Sequence, residues 1–359
     1  MSPWPDHRLQ DLFGVTHPII QAPMAGSSTP ALASAVSNAG GLGSLGFAAG
    51  TVGVVQEGCA AMRAATNAPF NINLFVLPRL PAQTADERQA MRARMAPFFA
   101  AVGAGEVPDP PAEPPAHGLA PEMLEALIAA RPPVVSFHFG LPDTAAMARL
   151  AAAGIKVICT ATTVAEAVAV ETAGCVAVIA QGWEAGGHRG AHAPNLPLDG
   201  VGTMALVPQV VDAVRIPVIA AGGIGDARGI AAAFMLGAAG VQMGSAFLHC
   251  PEAATEPARR ALIAATKGGD TVATDAYSGR VARAHRSDYA AAMLPFSGQF
   301  AAYGQMYDFT DPICAAAAGK AEDIASFHLY GQAAGLGRAL PAGELVDTLA
   351  RGALALLSR

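Results

Sequence analysis

The sequence predicts an α/β protein: a (β/α)8 TIM barrel with a small α-helical cap domain. Three observations carry this. Short apolar runs alternate with helix-like runs, several of which end at a glycine, and strand, helix, glycine, strand is the pattern of a parallel sheet. Eight such units are the number that closes a barrel. The 359 residues are 52% apolar and only 14% charged, enough to bury one large core with material left for a second element.

The strands are expected at residues 18–21 (PIIQ), 41–45, 70–75 (FNINLF), 134–139 (VVSFHF), 157–159, 176–180, 217–220 and 240–243. Helices fit between them. One runs over 30–39 with Ser28 or Thr29 as its cap, and one over 143–153, ending at Gly154. Thr163-Val-Ala-Glu166 reads as a capping box that opens a helix to Ala173, closed by Gly174. Asp226 opens another that stops at Gly237. The barrel is therefore expected over 1–255, with an insertion at about 77–120 that holds a polar helix from Thr84 and a proline-rich loop at 108–115. Residues 256–325 are expected as the helical cap, with a polar stretch at 270–286, and 326–359 as a helical segment returning to the barrel.

Several classes are excluded. The net charge is −6 with no basic cluster, so nucleic acid is not an expected partner. Five scattered cysteines without CxxC spacing point to free thiols in a reducing cytoplasm. Residues 1–10 carry Pro3, Pro5, Asp6 and Arg8 before any apolar run, unlike a signal peptide. Residues 229–250 lack charge, but Gly237, Gly240, Gln242, Gly244 and Ser245 break them into helix, turn and strand, so no membrane span is expected.

Chemistry concentrates where strands are expected to end. After the sixth comes Ala180-Gln-Gly-Trp-Glu-Ala-Gly-Gly-His-Arg-Gly190. Its glycines allow close backbone approach to a ligand, and His188 among them can take a proton near neutral pH. The turns Ala220-Ala-Gly-Gly-Ile-Gly-Asp226 and Gln242-Met-Gly-Ser-Ala-Phe247 follow the seventh and eighth strands. That is the usual phosphate site of a barrel, with amides of Gly223, Gly244 and Ser245 aided by the dipole of a short following helix. Pro23 and Met24, after the first strand, either line a flat aromatic ligand or simply pack. Asn73 and Gln181 are polar groups in apolar strands and need partners. His138 shares a strand face with Ser136 and opposes Phe137 and Phe139, and it competes with His188 as the catalytic group. Two patterns are discounted. The GxGxxG at 41–46 follows a helix where a dinucleotide fingerprint needs a strand. His188 and His192 stand four apart, but the glycines around them argue against a helix and no acidic or cysteine cluster accompanies them, so no metal is expected.

These segments resemble the nitronate monooxygenases over nearly the whole chain. The resemblance comprises QAPMAG at 21–26, AGGLG at 39–43, NINLF at 71–75, VSFHFG at 135–140, QGWEAGGHRG at 181–190, AAGGI at 220–224 and QMGSAF at 242–247. SGRVAR at 278–283 and YGQAAGL at 330–336 belong to it as well. The resemblance implies FMN bound non-covalently and oxidation of alkyl nitronates, in some members also neutral nitroalkanes, with O2 to a carbonyl compound and nitrite. It implies His188 as the base and Asn73, Gln181, Gly186, Gly223, Gln242, Met243, Gly244 and Ser245 as flavin contacts. Ala22, Pro23, Met24, Gly187 and Gly222 complete the expected cofactor set. Two departures stand out: Ser245 replaces the usual threonine, and His285-Arg-Ser-Asp replaces the usual asparagine after the arginine segment. Rival expectations are an FMN barrel that uses NAD(P)H, either an enoyl-thioester or a quinone reductase, and a non-catalytic phosphate-binding barrel. The expected assembly is a monomer or homodimer.

Overall fold

The computed structural model describes residues 3–193, 198–319 and 324–359. Positions 1–2, 194–197 and 320–323, the last group within the expected cap, lie outside the described residues. In chain order the strands are β1 (Ile19–Gln21), β2 (Gly43–Gly46), β3 (Phe70–Phe75), β4 (Val134–His138), β5 (Lys156–Ala161), β6 (Ala177–Gln181), β7 (Gly187–His188), β8 (Val218–Ala221), β9 (Gly240–Met243), β10 (Thr271–Thr274) and β11 (Ala282–His285). Eight of them pair in parallel in the order β1-β9-β8-β6-β5-β4-β3-β2. A parallel bridge between Ile20 and Leu42 brings the two ends together and closes the barrel. All eight expected barrel strands are present, two with the expected bounds and the rest with ends one or two residues away.

Seven helices follow barrel strands in sequence. The eighth place is taken by Ala342–Leu357 from the far end of the chain, whose Leu345, Val346 and Leu349 share one hydrophobic core with Leu32 and Ile230. Its contact with the helix Ala227–Met235 is close: a Cβ on Gly352 would lie 2.7 Å from the Cβ of Ala227. Thr29, Asp143, Thr163 and Asp226 all cap helices with their side chains. The expected box at 163–166 is only half formed. Glu166 does not reach back to Thr163; its carboxylate accepts from Thr162 N at 2.6 Å and from His192 N at 2.8 Å. It thereby ties the chain beyond His188 to the end of β5. The glycine pattern at 41–46 has a packing reason: a Cβ on Gly43 would fall 1.9 Å from the carbonyl oxygen of Ala33.

The barrel interior is layered. Ile20, Leu42, Val134, Ile158, Ile179 and Ile219 form an apolar floor, closed below by Leu9 and Phe13 of the N-terminal helix Arg8–Phe13. Two residues further along β2, β4 and β5, with Asn71 of β3, the same face turns polar: Ser44, Asn71, Ser136 and Thr160 are all buried. Asn71 Nδ2 donates to Ser44 Oγ at 3.1 Å and Ser136 Oγ at 2.9 Å. Above this layer the strand ends open into a cavity.

A second core lies beside the barrel mouth. Met91, Met95 and Phe99 of the insertion helix Ala85–Val102 pack with Tyr277, Tyr289, Met293, Phe309 and Ile313. This region also holds structure that the sequence pattern did not predict. β10 and β11 pair antiparallel, and β11 pairs on its other edge with β7, placing Ala282 opposite His188. The polar stretch at 270–286 thus contains a small sheet and not only helices. β11 has four residues and β7 two, too short for any periodicity to show. Among the described residues, no helix is long and apolar enough to cross a membrane.

Candidate active site

The cavity at the C-terminal mouth of the barrel measures about 390 Å³, within the roughly 300–1,000 Å³ usual for small-molecule sites. Ala22, Pro23, Met24, Asn73, Gln181, Gly186, Gly187, Gly222, Gly223, Gln242, Met243, Gly244 and Ser245 all line it, together with His138 and His188. Residues spread over 224 positions of sequence therefore face one space.

His188 is held on β7 by its backbone. Gly187, at φ 77°, makes the turn into it, and a Cβ on Gly186 would sit 2.3 Å from Gly331 N, so the loop packs directly on the chain from Tyr330. The His188 carbonyl accepts from Gln181 Nε2 and from His138 Nε2, each at 3.0 Å. Gln181 Oε1 accepts from Gly190 N at 2.7 Å. Gln181 is thus committed to the loop, and Asn73 likewise spends its amide donor on Ser136, with Oγ at 2.9 Å and the carbonyl at 3.1 Å.

Hydrogen-bond accounting separates the two histidines. A carbonyl only accepts, so His138 Nε2 carries a proton, and Nδ1 accepts from Thr160 Oγ1 at 3.0 Å. Both ring nitrogens of His138 are used. Among the described residues the His188 ring has one hydrogen bond, between Nε2 and Ser278 Oγ at 2.8 Å. Rings of Phe75, Phe139, Tyr303 and Phe327 stand edge-on around it at 5.8, 5.7, 5.5 and 6.3 Å. Burial, then the neighbouring His138 and Arg280, push the His188 pKa down to about 3. Burial dominates at His138 too, which falls to about 4 despite the carbonyl it serves. Both are neutral at pH 7.

Phe139 corrects the strand-alternation reading. β4 ends at His138, and Phe139 adopts φ 72°, a left-handed conformation unusual for a phenylalanine. The turn brings its ring to 5.0 Å from His138 and 5.7 Å from His188, so the two side chains meet where simple alternation would oppose them. On its far side Phe139 carries the guanidinium of Arg280 at 4.1 Å, a cation–π contact. Burial holds Arg280 down to about 10.

At the other end, Gly222 and Gly223 line the cavity at φ 101° and 70°, left-handed conformations that favour glycine. The helix after β9 is a five-residue 3₁₀ segment, Ser245–His249, so amides must contribute more there than any helix dipole. Ser245 Oγ accepts from Gly331 N at 2.8 Å. Between the two ends lies Gln242, whose Oε1 is buried and has no donor among the described residues. Such an orphaned acceptor is costly unless a ligand satisfies it.

Sequence reasoning missed the wall that the cap supplies. Tyr303 and Tyr307 of the cap line the cavity with Arg259, as do Phe327 and Tyr330 just beyond it, and the rings of Tyr303 and Tyr307 meet edge to face at 5.7 Å. One signal was present: all five tyrosines of the chain fall between 277 and 330, four of them in the expected cap and Tyr330 just beyond it.

Comparison with known proteins finds relatives over nearly the whole chain. The family model described as nitronate monooxygenase matches residues 6–352. A nitronate monooxygenase of Paraburkholderia phytofirmans is 44% identical over 348 residues, covering 96% of this chain and 94% of the relative. One from Pseudomonas aeruginosa is 43% identical over 351 residues, covering 95% and 97%. Among solved structures, a nitroalkane oxidase from Streptomyces ansochromogenes superposes with a TM-score of 0.84 at 37% identity, covering 98% of this chain and 99% of that one. FabK from Thermotoga maritima superposes at 0.76 with 30% identity, covering 98% and 97%. By sequence over its length and by fold, the chain belongs to the nitronate monooxygenase family, a family of flavin-dependent oxidoreductases.

Proposed function

We propose that this protein uses FMN and O2 to oxidise alkyl nitronates to a carbonyl compound and nitrite, and that it also accepts neutral nitroalkanes, from which His188 removes the α-proton. The observation that carries this reading is the neutral His188 imidazole in an aromatic-walled cavity that ends in two glycine turns. His138 lacks a free lone pair, so its role is to hold the His188 backbone in place.

The residues present suit FMN. Amides at Gly223, Gly244 and Ser245 would take its phosphate, and Gln242 Oε1 would accept from a ring N–H. Ala22, Pro23 and Met24 would lie along the ring system. When bound, FMN supplies the two-electron acceptor and its reoxidation by O2. The chain supplies the rest. Phe75, Phe139, Tyr303 and Phe327 exclude water around His188, which strengthens every electrostatic contact inside. The buried Arg280 guanidinium adds positive potential close to where a nitro group gains negative charge. A nitronate arrives already deprotonated and needs only placement; a nitroalkane needs His188 first. The five free cysteines support a cytoplasmic location.

The test is anaerobic. The purified protein should be yellow and release FMN on heat denaturation. Mixed without oxygen, an alkyl nitronate should bleach the flavin within the turnover time, and NADH should not. Rapid bleaching by NADH with none by a nitronate would overturn the reading in favour of a reductase.

A further inference from the structure

His188 Nε2 lies 2.8 Å from Ser278 Oγ, and the serine is fully buried. Which atom donates in this pair decides which nitrogen of His188 is basic. Ser278 owns one hydroxyl proton. Its Oγ also lies 3.1 Å from the carbonyl oxygen of Arg280, which can only accept, and 3.4 Å from Arg280 N. Among the described residues no other donor reaches the Arg280 carbonyl.

Two arrangements are possible. If Ser278 donated to His188, the buried Arg280 carbonyl would lose its donor, and an unpaired buried carbonyl is costly. If Ser278 donates to that carbonyl, its two lone pairs accept from His188 Nε2–H and from Arg280 N–H, and every group is satisfied. The second arrangement leaves the His188 Nδ1 lone pair with no protein partner among the described residues, on a ring that lines the cavity.

We propose that Ser278 is a positioning residue that fixes His188 as its Nε2–H tautomer, so that Nδ1 is the atom that receives the substrate proton. This rests on His188 being the base. In the step itself, the α-C–H bond of the nitroalkane breaks, its electron pair stays on the substrate as the nitronate, and the proton forms a new N–H bond at Nδ1. No oxidant takes part in this transfer. Ser278 then accepts from an imidazolium, a stronger bond than it makes to the neutral ring, so the serine favours the proton-transfer product over the ground state. The arrangement parallels the orienting partner of a catalytic histidine in other enzymes, with a hydroxyl in place of a carboxylate.

Two measurements test this. In FMN-loaded protein labelled with ¹⁵N-histidine, N–H correlation patterns report the tautomer of each ring, and the signals missing from His188→Asn identify His188. The expected pattern at pH 7 is Nε2 protonated and Nδ1 bare. A protonated Nδ1 in the wild-type protein overturns the proposal, whatever the enzyme turns over. Second, Ser278→Ala should lower kcat on nitroethane roughly tenfold or more with KM, flavin content and turnover of the pre-formed nitronate nearly unchanged. Ser278→Thr, which keeps the hydroxyl, should recover most of the loss. Equal losses on both substrates in Ser278→Ala would assign the serine to general packing and overturn the proposal. If the wild-type protein turned over neither substrate, the proposed activity would fail while the tautomer measurement still stood.

Discussion

Gly190 is the position where one added methyl group should cost most. It follows Arg189 just beyond β7, and a Cβ built on it would lie 2.5 Å from His138 Cε1, 2.5 Å from Thr160 Cγ2 and 2.8 Å from His138 Nδ1. Neither neighbour can yield cheaply. Thr160 belongs to a central barrel strand, and His138 is pinned at both ring nitrogens, to Thr160 and to the His188 carbonyl. In Gly190→Ala, either His138 swings away and loses two hydrogen bonds, or the loop lifts and loses the bond from Gly190 N to Gln181. Each lost bond leaves buried polar groups unpaired at roughly 1–3 kcal/mol, so the variant should be destabilised by about 2–5 kcal/mol. His188 moves with its backbone, and a misplacement of about 1 Å costs on the order of 100-fold in rate. Urea unfolding measures the first effect and kcat/KM on nitroethane the second. Gly53→Ala is the control, because nothing lies within 4 Å of its Cβ and it stands in the helix Val52–Ala65; it should be neutral or slightly stabilising. If Gly190→Ala unfolded within 1 kcal/mol of wild type (on the order of RT) and kept its activity, the loop would not be held by the contacts described.

Three further outcomes are expected. His188→Asn should lose roughly 100- to 10,000-fold on nitroethane and keep much of its activity on the pre-formed nitronate, whereas a selective loss in His138→Asn alone would move the base to β4. Gly244→Asp should abolish most FMN binding by placing a carboxylate beside the phosphate. The fold should survive, since the new Cβ meets Ala22 and Met24 no closer than 3.5 Å and φ is −103°; unchanged flavin affinity would falsify this phosphate site. Stability should fall in acid. His138 and His188 titrate near 6.5 in the unfolded chain and at about 4 and about 3 when folded. The unfolded state therefore takes up protons first as pH drops below 6.5, and stability present above that value is lost by about 2 kcal/mol per histidine at pH 5. Urea midpoints at pH 8 and pH 5 measure it, and His138→Asn should show about half the pH dependence; an identical dependence in that variant would contradict the burial argument.

The local sequence by itself determined the barrel, because strand and helix signals are short-range. β3 reads as FNINLF and β9 as GVQM, each bounded by turn residues, and Thr29, Asp143 and Asp226 announce helix starts within three residues of chain. A strand end in a barrel points to the mouth whatever else the chain does, so His188, Gly223 and Ser245 could be assigned to one cavity before any fold was seen. The tertiary structure alone decided what those residues can do. Gln181 and Asn73 line the cavity as expected, but the structure adds that Gln181 also holds the His188 loop and that Asn73 Nδ2 binds Ser136. β7 exists only because β11, nearly 100 residues later, offers it an edge. Ser278 and Tyr303 come to His188 from the cap, and no local pattern specifies a contact of that separation. The same holds for the difference between the two histidines. Only the partners of their ring nitrogens, brought from β5, β7 and the cap, distinguish them: among the described residues His138 is bonded at both nitrogens and His188 at Nε2 alone.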